Sequence, residues 1–264
     1  MMMALMLVAA ASAAQASGGA SWDLGKDPAV CAATSSVSGS PTANALSIAL
    51  SPVDDSARID LVGARLFSVP RATVILIKVG GGAVEQHDGF IANTADGKAS
   101  HSNATLSADD SRRMLAGENI VMALARETVI AVRTTGLAEA SGRLIACRDT
   151  QRRALSLDPR IVAAVAVPAS GNYDYILSGG SMPREALDRE ESGTTKLLLS
   201  LDTRGRVGDC RVVEHATPTL DKAACVIVKR RDTIKPARNA AGQPVASYAL
   251  TTIKWNGRGA RRGR

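Results

Sequence analysis

Between residues 148 and 181 the chain is crowded with residues that interrupt regular structure. Asp158-Pro159, Val167-Pro168, Ser170-Gly171-Asn172 and Gly179-Gly180 all fall in this stretch. Proline removes a backbone donor, and glycine and asparagine favour turns, so no long helix or strand ladder should run through it unbroken. The chain therefore reads as two blocks, 17–148 and 182–257, joined by a linker at 149–181. Its one apolar run, 161–167, reads as a strand packing on either neighbour.

The four cysteines fall evenly on the two sides: Cys31 and Cys147 before the linker, Cys210 and Cys225 after it. There is no C-x-x-C pair, so zinc and thioredoxin-like chemistry lose their usual spacing. An even count in an exported chain argues for disulfides, and four cysteines allow three pairings. Pairing within each block, Cys31–Cys147 and Cys210–Cys225, leaves both blocks independent and is the expected arrangement.

Export is read from residues 1–16, which are apolar and small and end in Ala14-Gln15-Ala16, a small-x-small cleavage pattern. The run is shorter than the roughly 20 residues of a membrane span. The first basic residue is Lys26, so a positive n-region is missing. A cleaved signal peptide and a periplasmic product are expected; the alternative is an uncleaved N-terminus anchored in the inner membrane.

The formal charge is +7, and Arg258, Arg261, Arg262 and Arg264 supply four of those units. The basicity thus belongs mostly to a tail at 258–264. Aromatics are only 3% of the chain, so no basic stripe with interleaved aromatics marks a nucleic-acid face. Scarce aromatics also mean cores of Leu, Ile, Val and Ala, which suit small β-rich or α+β domains.

In the first block Leu46, Ile48 and Leu50 alternate with small residues as in a half-buried strand, and Ile59 and Leu61 start another. The run 73–79 reads as a buried strand ended by the turn Gly80-Gly81-Gly82. Ser107-Ala108-Asp109-Asp110 has the form of a helix cap, with a short helix stopping at Gly117. Strands follow at 120–124 and 128–132. Leu137, Ala140, Leu144 and Cys147 then keep helical spacing. The block is expected to be a small mainly-β domain with a closing helix. Its early Trp22, nearby Cys31 and late helix ending in Cys147 loosely resemble periplasmic domains of the invasion-associated locus B type.

The second block opens with a short helix from Pro183. Leu197, Leu199 and Leu201 form an alternating strand, Asp202-Thr203-Arg204-Gly205 a hairpin turn, and 207–213 the return strand. Thr217-Pro218 caps and starts a helix through Arg230 with the stripe Leu220, Ala224 and Ile227. Ala241-Gly242 turns the chain into a long last strand at 245–255. The fold class is α+β, in the order α-β-β-α-β with a three-stranded antiparallel sheet.

With those residues, the order resembles the C-terminal domain of TonB-type energy transducers over 182–255. The stretch Leu199-Ser200-Leu201-Asp202-Thr203-Arg204-Gly205-Arg206-Val207 is similar to the family's first hairpin, and Leu220-Asp221-Lys222-Ala223 to its Leu-Asp-x-Ala helix start. Arg230-Arg231, then Lys235-Pro236-Ala237, Gly242-Gln243-Pro244-Val245 and Ile253-Lys254-Trp255 are similar to its closing motifs. Pro183 to Ala186 is similar to its opening Pro-x-x-Ala. Departures are Glu214-His215-Ala216 where the family often has Ser-Ser-Gly, Ile234 where an aromatic is common, and Met182 in place of a frequent tyrosine. Full transducers also carry a histidine-bearing membrane helix and a Pro-rich spacer. Here no histidine precedes His87, and the 10 prolines are dispersed.

The resemblance implies a Gram-negative envelope protein for transport across the outer membrane. Its partner would be an extended receptor peptide, the TonB box, pairing with the last strand by β-augmentation. The expected binding strand is Ala246, Ser247, Tyr248, Ala249, Leu250, Thr251, Thr252, Ile253, Lys254 and Trp255. Tyr248 and Leu250 have one parity and Ile253 and Trp255 the other, so either both faces are apolar or a bulge falls near Thr251-Thr252. A homodimer paired through this strand is the competing use of the edge. A structural protein whose domain only docks other domains or proteins is the alternative function.

Catalytic patterns are missing. His87, His101 and His215 form no H-E-x-x-H, and there is no G-x-S-x-G elbow. Gly80 to Gly82 lacks the Lys-Ser/Thr of a phosphate loop. Glu214 and His215, if on one strand, point to opposite faces. Asp54-Asp55 reads as a solvated loop and Asp109-Asp110 as a helix start. No enzyme activity, cofactor, metal, nucleic-acid partner or small-molecule substrate is expected.

Overall fold

The computed structural model describes residues 21–25, 30–36, 43–64, 71–93, 99–124, 128–171, 175–178, 182–230 and 234–257. The signal peptide expected at 1–16 and the basic tail at 258–264 lie outside them. The chain forms two compact units, 1–154 and 155–264.

Nine strands of the first unit make one sheet: β1 (Asp23–Leu24), β2 (Ala32–Ser36), β3 (Ala43–Leu50), β4 (Ala57–Ala64), β5 (Arg71–Val79), β6 (Val84–Asn93), β7 (Ala99–Leu106), β8 (Ile120–Leu124) and β9 (Thr128–Val132). Their order is β1-β2-β3-β4-β7-β6-β5-β8-β9, and each neighbouring pair is antiparallel. Helices α1 (Ala108–Leu115) and α2 (Leu137–Ala154) complete the unit. Leu46, Ile48, Ile59, Ile75, Ile77, Leu106, Met114, Ile120, Met122, Leu137 and Leu144 are sealed in its core. The alternation read at Leu46, Ile48 and Leu50 is that core face.

The local signals act as expected. Gly80 takes φ +51° in the turn between β5 and β6, and Ser107 caps α1 by accepting the Asp110 N–H at 3.3 Å. Cys31 is bonded to Cys147 with Cα atoms 5.6 Å apart, tying the start of β2 to α2. Trp22 donates its indole N–H to the Thr135 carbonyl at 3.0 Å. Asp54-Asp55 is not a solvated loop. Asp54 is buried and accepts the Ser56 N–H at 2.9 Å, while Asp55 is held by Arg148 and Arg152 of α2 at 3.2 and 2.9 Å. An arginine pair reaching down from a helix was not visible in the local sequence.

The second unit contains α3 (Pro159–Ala164), β10 (Tyr175–Ser178), α4 (Arg184–Asp188), β11 (Ser192–Leu201), β12 (Val207–Glu214), α5 (Pro218–Lys229) and β13 (Ser247–Asn256). The α-β-β-α-β order is present, and β11 pairs antiparallel with both β12 and β13. Thr217 caps α5 by accepting the Leu220 N–H at 3.3 Å, with Pro218 in the first turn. Leu197, Leu199 and Leu201 meet Leu220, Ala224 and Val228 in the core. Cys210 of β12 is bonded to Cys225 of α5, with Cα atoms 5.7 Å apart.

Two expectations change here. The stretch 149–181 is not a plain linker: α2 continues to Ala154, and α3 and β10 lie inside it. The apolar run from Ile161 begins as a helix rather than a strand, because the Asp158 side chain caps it by accepting the Arg160 N–H at 2.8 Å and Pro159 fits its first turn. The expected three-stranded antiparallel sheet, β12-β11-β13, is present, and β10 adds a parallel strand beside β13, giving the order β10-β13-β11-β12.

Candidate peptide-binding edge

The last strand is built as a two-sided ribbon. Its residues alternate between buried (Ser247, Ala249, Thr251, Ile253, Trp255) and half-buried or exposed (Tyr248, Leu250, Thr252, Lys254, Asn256). Pairing with β11 runs without a break from Leu201↔Ser247 to Ser192↔Asn256, so no bulge falls at Thr251-Thr252. The two apolar parities are two faces of a regular strand.

Hydrogen-bond direction follows from the end of this ladder. Gly257 donates its N–H to the Glu191 carbonyl at 3.1 Å, just beyond the Ser192↔Asn256 pair. In an antiparallel ladder N–H direction alternates along the strand. The N–H groups of Trp255, Ile253, Thr251, Ala249 and Ser247 therefore face β11. Those of Tyr248, Leu250, Thr252, Lys254 and Asn256 face the opposite side.

That opposite side is partly covered. β10 pairs parallel with the end of β13, Tyr175↔Ile253 through Ser178↔Asn256. The expected binding strand is thus corrected. Ile253, Lys254 and Trp255 already have a neighbour on both sides, and Ala246 precedes β13. What remains is Ser247, Tyr248, Ala249, Leu250, Thr251 and Thr252, which have no second strand partner among the described residues. Near its start, the Tyr248 hydroxyl accepts the Asp158 N–H at 3.3 Å. β10 was missed because it is four residues long, lies between the breaker residues Ser170-Gly171-Asn172 and Gly179-Gly180, and pairs far away in sequence.

The other outer strand, β12, is a poorer template. Its ladder with β11 is irregular at Lys196/Leu197 and Ser200/Leu201, and such irregularities blunt an edge. Its disulfide to α5 fixes it further.

A polar chain braces β13 from within. Trp255 donates its indole N–H to Thr195 Oγ1 at 2.9 Å, and Thr195 donates to Asp221 Oδ1 at 2.9 Å. Asp221 also accepts the Ala216 N–H at 3.1 Å and lies 2.8 Å from His215 Nδ1. Burial alone would raise the Asp221 pKa. The hydrogen bonds from His215, Ala216 and Thr195 outweigh it and hold the carboxyl below its ordinary 3.8. β12 ends at Glu214, so His215 does not share a strand with it. Its partner is Asp221, the aspartate of the Leu-Asp-x-Ala helix start, and the role of that aspartate is to tie helix to sheet.

Residues 181–256 match the family model of the Gram-negative bacterial TonB protein C-terminal region. This part of the chain is a TonB C-terminal domain. No curated protein and no solved structure matches the chain. The TonB domain takes in α4, β11, β12, α5 and β13, while β10 lies just before the matched residues. The family is one of transport and interaction modules of Gram-negative bacteria. No helix among the described residues is long and apolar enough to cross a membrane.

Proposed function

We propose that the chain is a periplasmic adaptor whose TonB domain binds an extended peptide of an outer-membrane receptor. The peptide would add a strand to β13 along 247–252. The observation that carries this reading is the run of outward N–H groups at Tyr248, Leu250 and Thr252 with no strand opposite among the described residues. A ladder edge without a strand opposite is a template for a strand, with backbone bonds supplying affinity and alternate side chains supplying selection. Six strand residues span about 20 Å, so a peptide of about six residues fits. Its few hydrogen bonds, each worth about 1 kcal/mol net, must offset the ordering of the peptide, so a Kd of roughly 10–100 µM is expected.

The test is titration of a labelled TonB-box peptide against the oxidised full chain. Proline at Leu250 removes an outward donor, so Leu250→Pro should weaken binding at least about fivefold. Proline at Ser247 or Thr251 removes donors that face β11, so those variants report folding rather than binding. Lys254→Ala should bind like the parent, because the backbone carries most of the affinity. A folded Leu250→Pro protein that binds as tightly as the parent would contradict the edge model.

A second reading rests on β10. Its pairing with β13 uses the same edge inside the chain, as a purely structural docking domain would. Failure of every receptor peptide to bind would favour that reading.

A further inference from the structure

We propose that Glu85, His87 and Asp110 of the first unit form a binding site for one divalent transition-metal ion, with zinc the best fit. The site is independent of the TonB domain.

β6 places Glu85 and His87 two residues apart, so both project from the same face of the strand. The first turn of α1 brings Asp110 to that face. One potential ligand atom from each residue lies within 4.8 Å of the other two, and His87 Nε2 is 3.6 Å from Glu85 Oε2. Around a zinc ion with bonds of about 2.0–2.2 Å, ligand atoms stand roughly 3.0–3.5 Å apart. Closing the remaining gap falls to Glu85, whose side chain is 39% exposed, against 10% for His87.

Asp110 gives the independent sign of a missing ligand. The residue is 2% exposed, and its Oδ2 is buried with no hydrogen-bond partner. A buried carboxylate oxygen without a donor is costly unless it is protonated or meets a cation. Its carboxyl is pushed up to about 6 by burial first, then by the neighbouring carboxylates of Glu85 and Asp109, with Arg113 opposing and Glu118 adding to the rise. A cation among these groups offsets the same repulsion.

The surroundings hold the ligands in place. Ser107, the cap of α1, accepts the Asp110 N–H at 3.3 Å and lies 3.4 Å from Glu85 Oε1, as a donor to that carboxylate. Such outer contacts orient metal ligands. At Gly82 an added Cβ would come within 3.3 Å of Asp110 Oδ1 and 2.9 Å of the Val79 carbonyl, so glycine leaves the carboxylate its room. One imidazole and two carboxylates suit zinc, manganese, iron or cobalt; magnesium and calcium favour all-oxygen sets. Water would complete the coordination. No motif in the sequence signals the site, because the third ligand comes from a different element.

The experiment is calorimetric titration of zinc chloride into the tag-free, chelator-treated, oxidised full chain, with cobalt absorption as a second readout. One ion should bind with a micromolar Kd, and magnesium and calcium should not compete. Glu85→Gln, His87→Gln and Asp110→Asn should each weaken binding about tenfold or more, while His215→Gln should leave it unchanged. If Asp110→Asn fails to fold, Glu85→Gln at the exposed ligand decides. No one-site binding of zinc, cobalt or manganese at about 1 mM would overturn the proposal. So would zinc binding that survives both Glu85→Gln and His87→Gln, or that is lost in His215→Gln.

Discussion

Replacing Cys210 and Cys225 together with alanine should destabilise the second unit by about 3 kcal/mol. The bond closes a sequence separation of 15 residues, and cross-linking such a loop removes roughly that much denatured-state entropy. Both cysteines pack against the unit's core, so truncation adds lost contacts. For a unit spanning 155–264, this corresponds to a fall in Tm of roughly 12–20 °C. With a urea m-value of about 1.5 kcal/mol/M, the midpoint drops by about 2 M. The two tryptophans make the assay selective, since Trp22 belongs to the first core and Trp255 to the second. In a Trp22→Phe background the Trp255 fluorescence transition should move by the full amount. In a Trp255→Phe background the Trp22 transition should stay in place. A loss below about 1 kcal/mol at Trp255, or an equal shift at Trp22, would refute the reasoning that each disulfide serves its own unit.

Thr251 keeps its hydroxyl buried without a partner, so Thr251→Val, which retains the shape, should raise the stability of the second unit by about 1 kcal/mol in urea unfolding. Asp221 has its folded pKa held below 3.8, so it stabilises the fold above that pH and this stability is lost as pH falls through the folded value. Acid unfolding followed at Trp255 should therefore have a shallower dependence below about pH 4 in Asp221→Asn than in the parent. In the parallel pairing of β10 with β13, the Leu177 N–H is directed at the Lys254 carbonyl, so Leu177→Pro should release β10. The amides of Lys254 and Asn256 should then exchange faster, and a longer peptide should bind more tightly.

Features specified within a few residues of themselves were legible in the sequence. Ser107 before α1, Thr217-Pro218 before α5 and the Asp202–Gly205 turn each carry their mechanism locally. The strands at 120–124 and 128–132 were legible because they are short apolar runs beside turns. Features that depend on a distant partner were not legible. β6 and β7 are largely polar strands stabilised by neighbours on both sides, so alternation did not mark them. The helix at Pro159 was hidden by its own apolar run, although Asp158-Pro159 held the signal. The last strand was read correctly as a strand, but alternation says nothing about which strand lies beside it. Only the register shows that β10 takes the last four residues of its edge.

The central claim concerns three amides. Backbone hydrogen exchange measured with and without a TonB-box peptide at saturating concentration should show Tyr248, Leu250 and Thr252 becoming protected on binding. Ser247, Ala249 and Thr251, already bonded to β11, should change little. Protection of that alternating set supports strand addition at this edge. Binding that leaves all three outward amides unprotected, or that protects β12 instead, would contradict it.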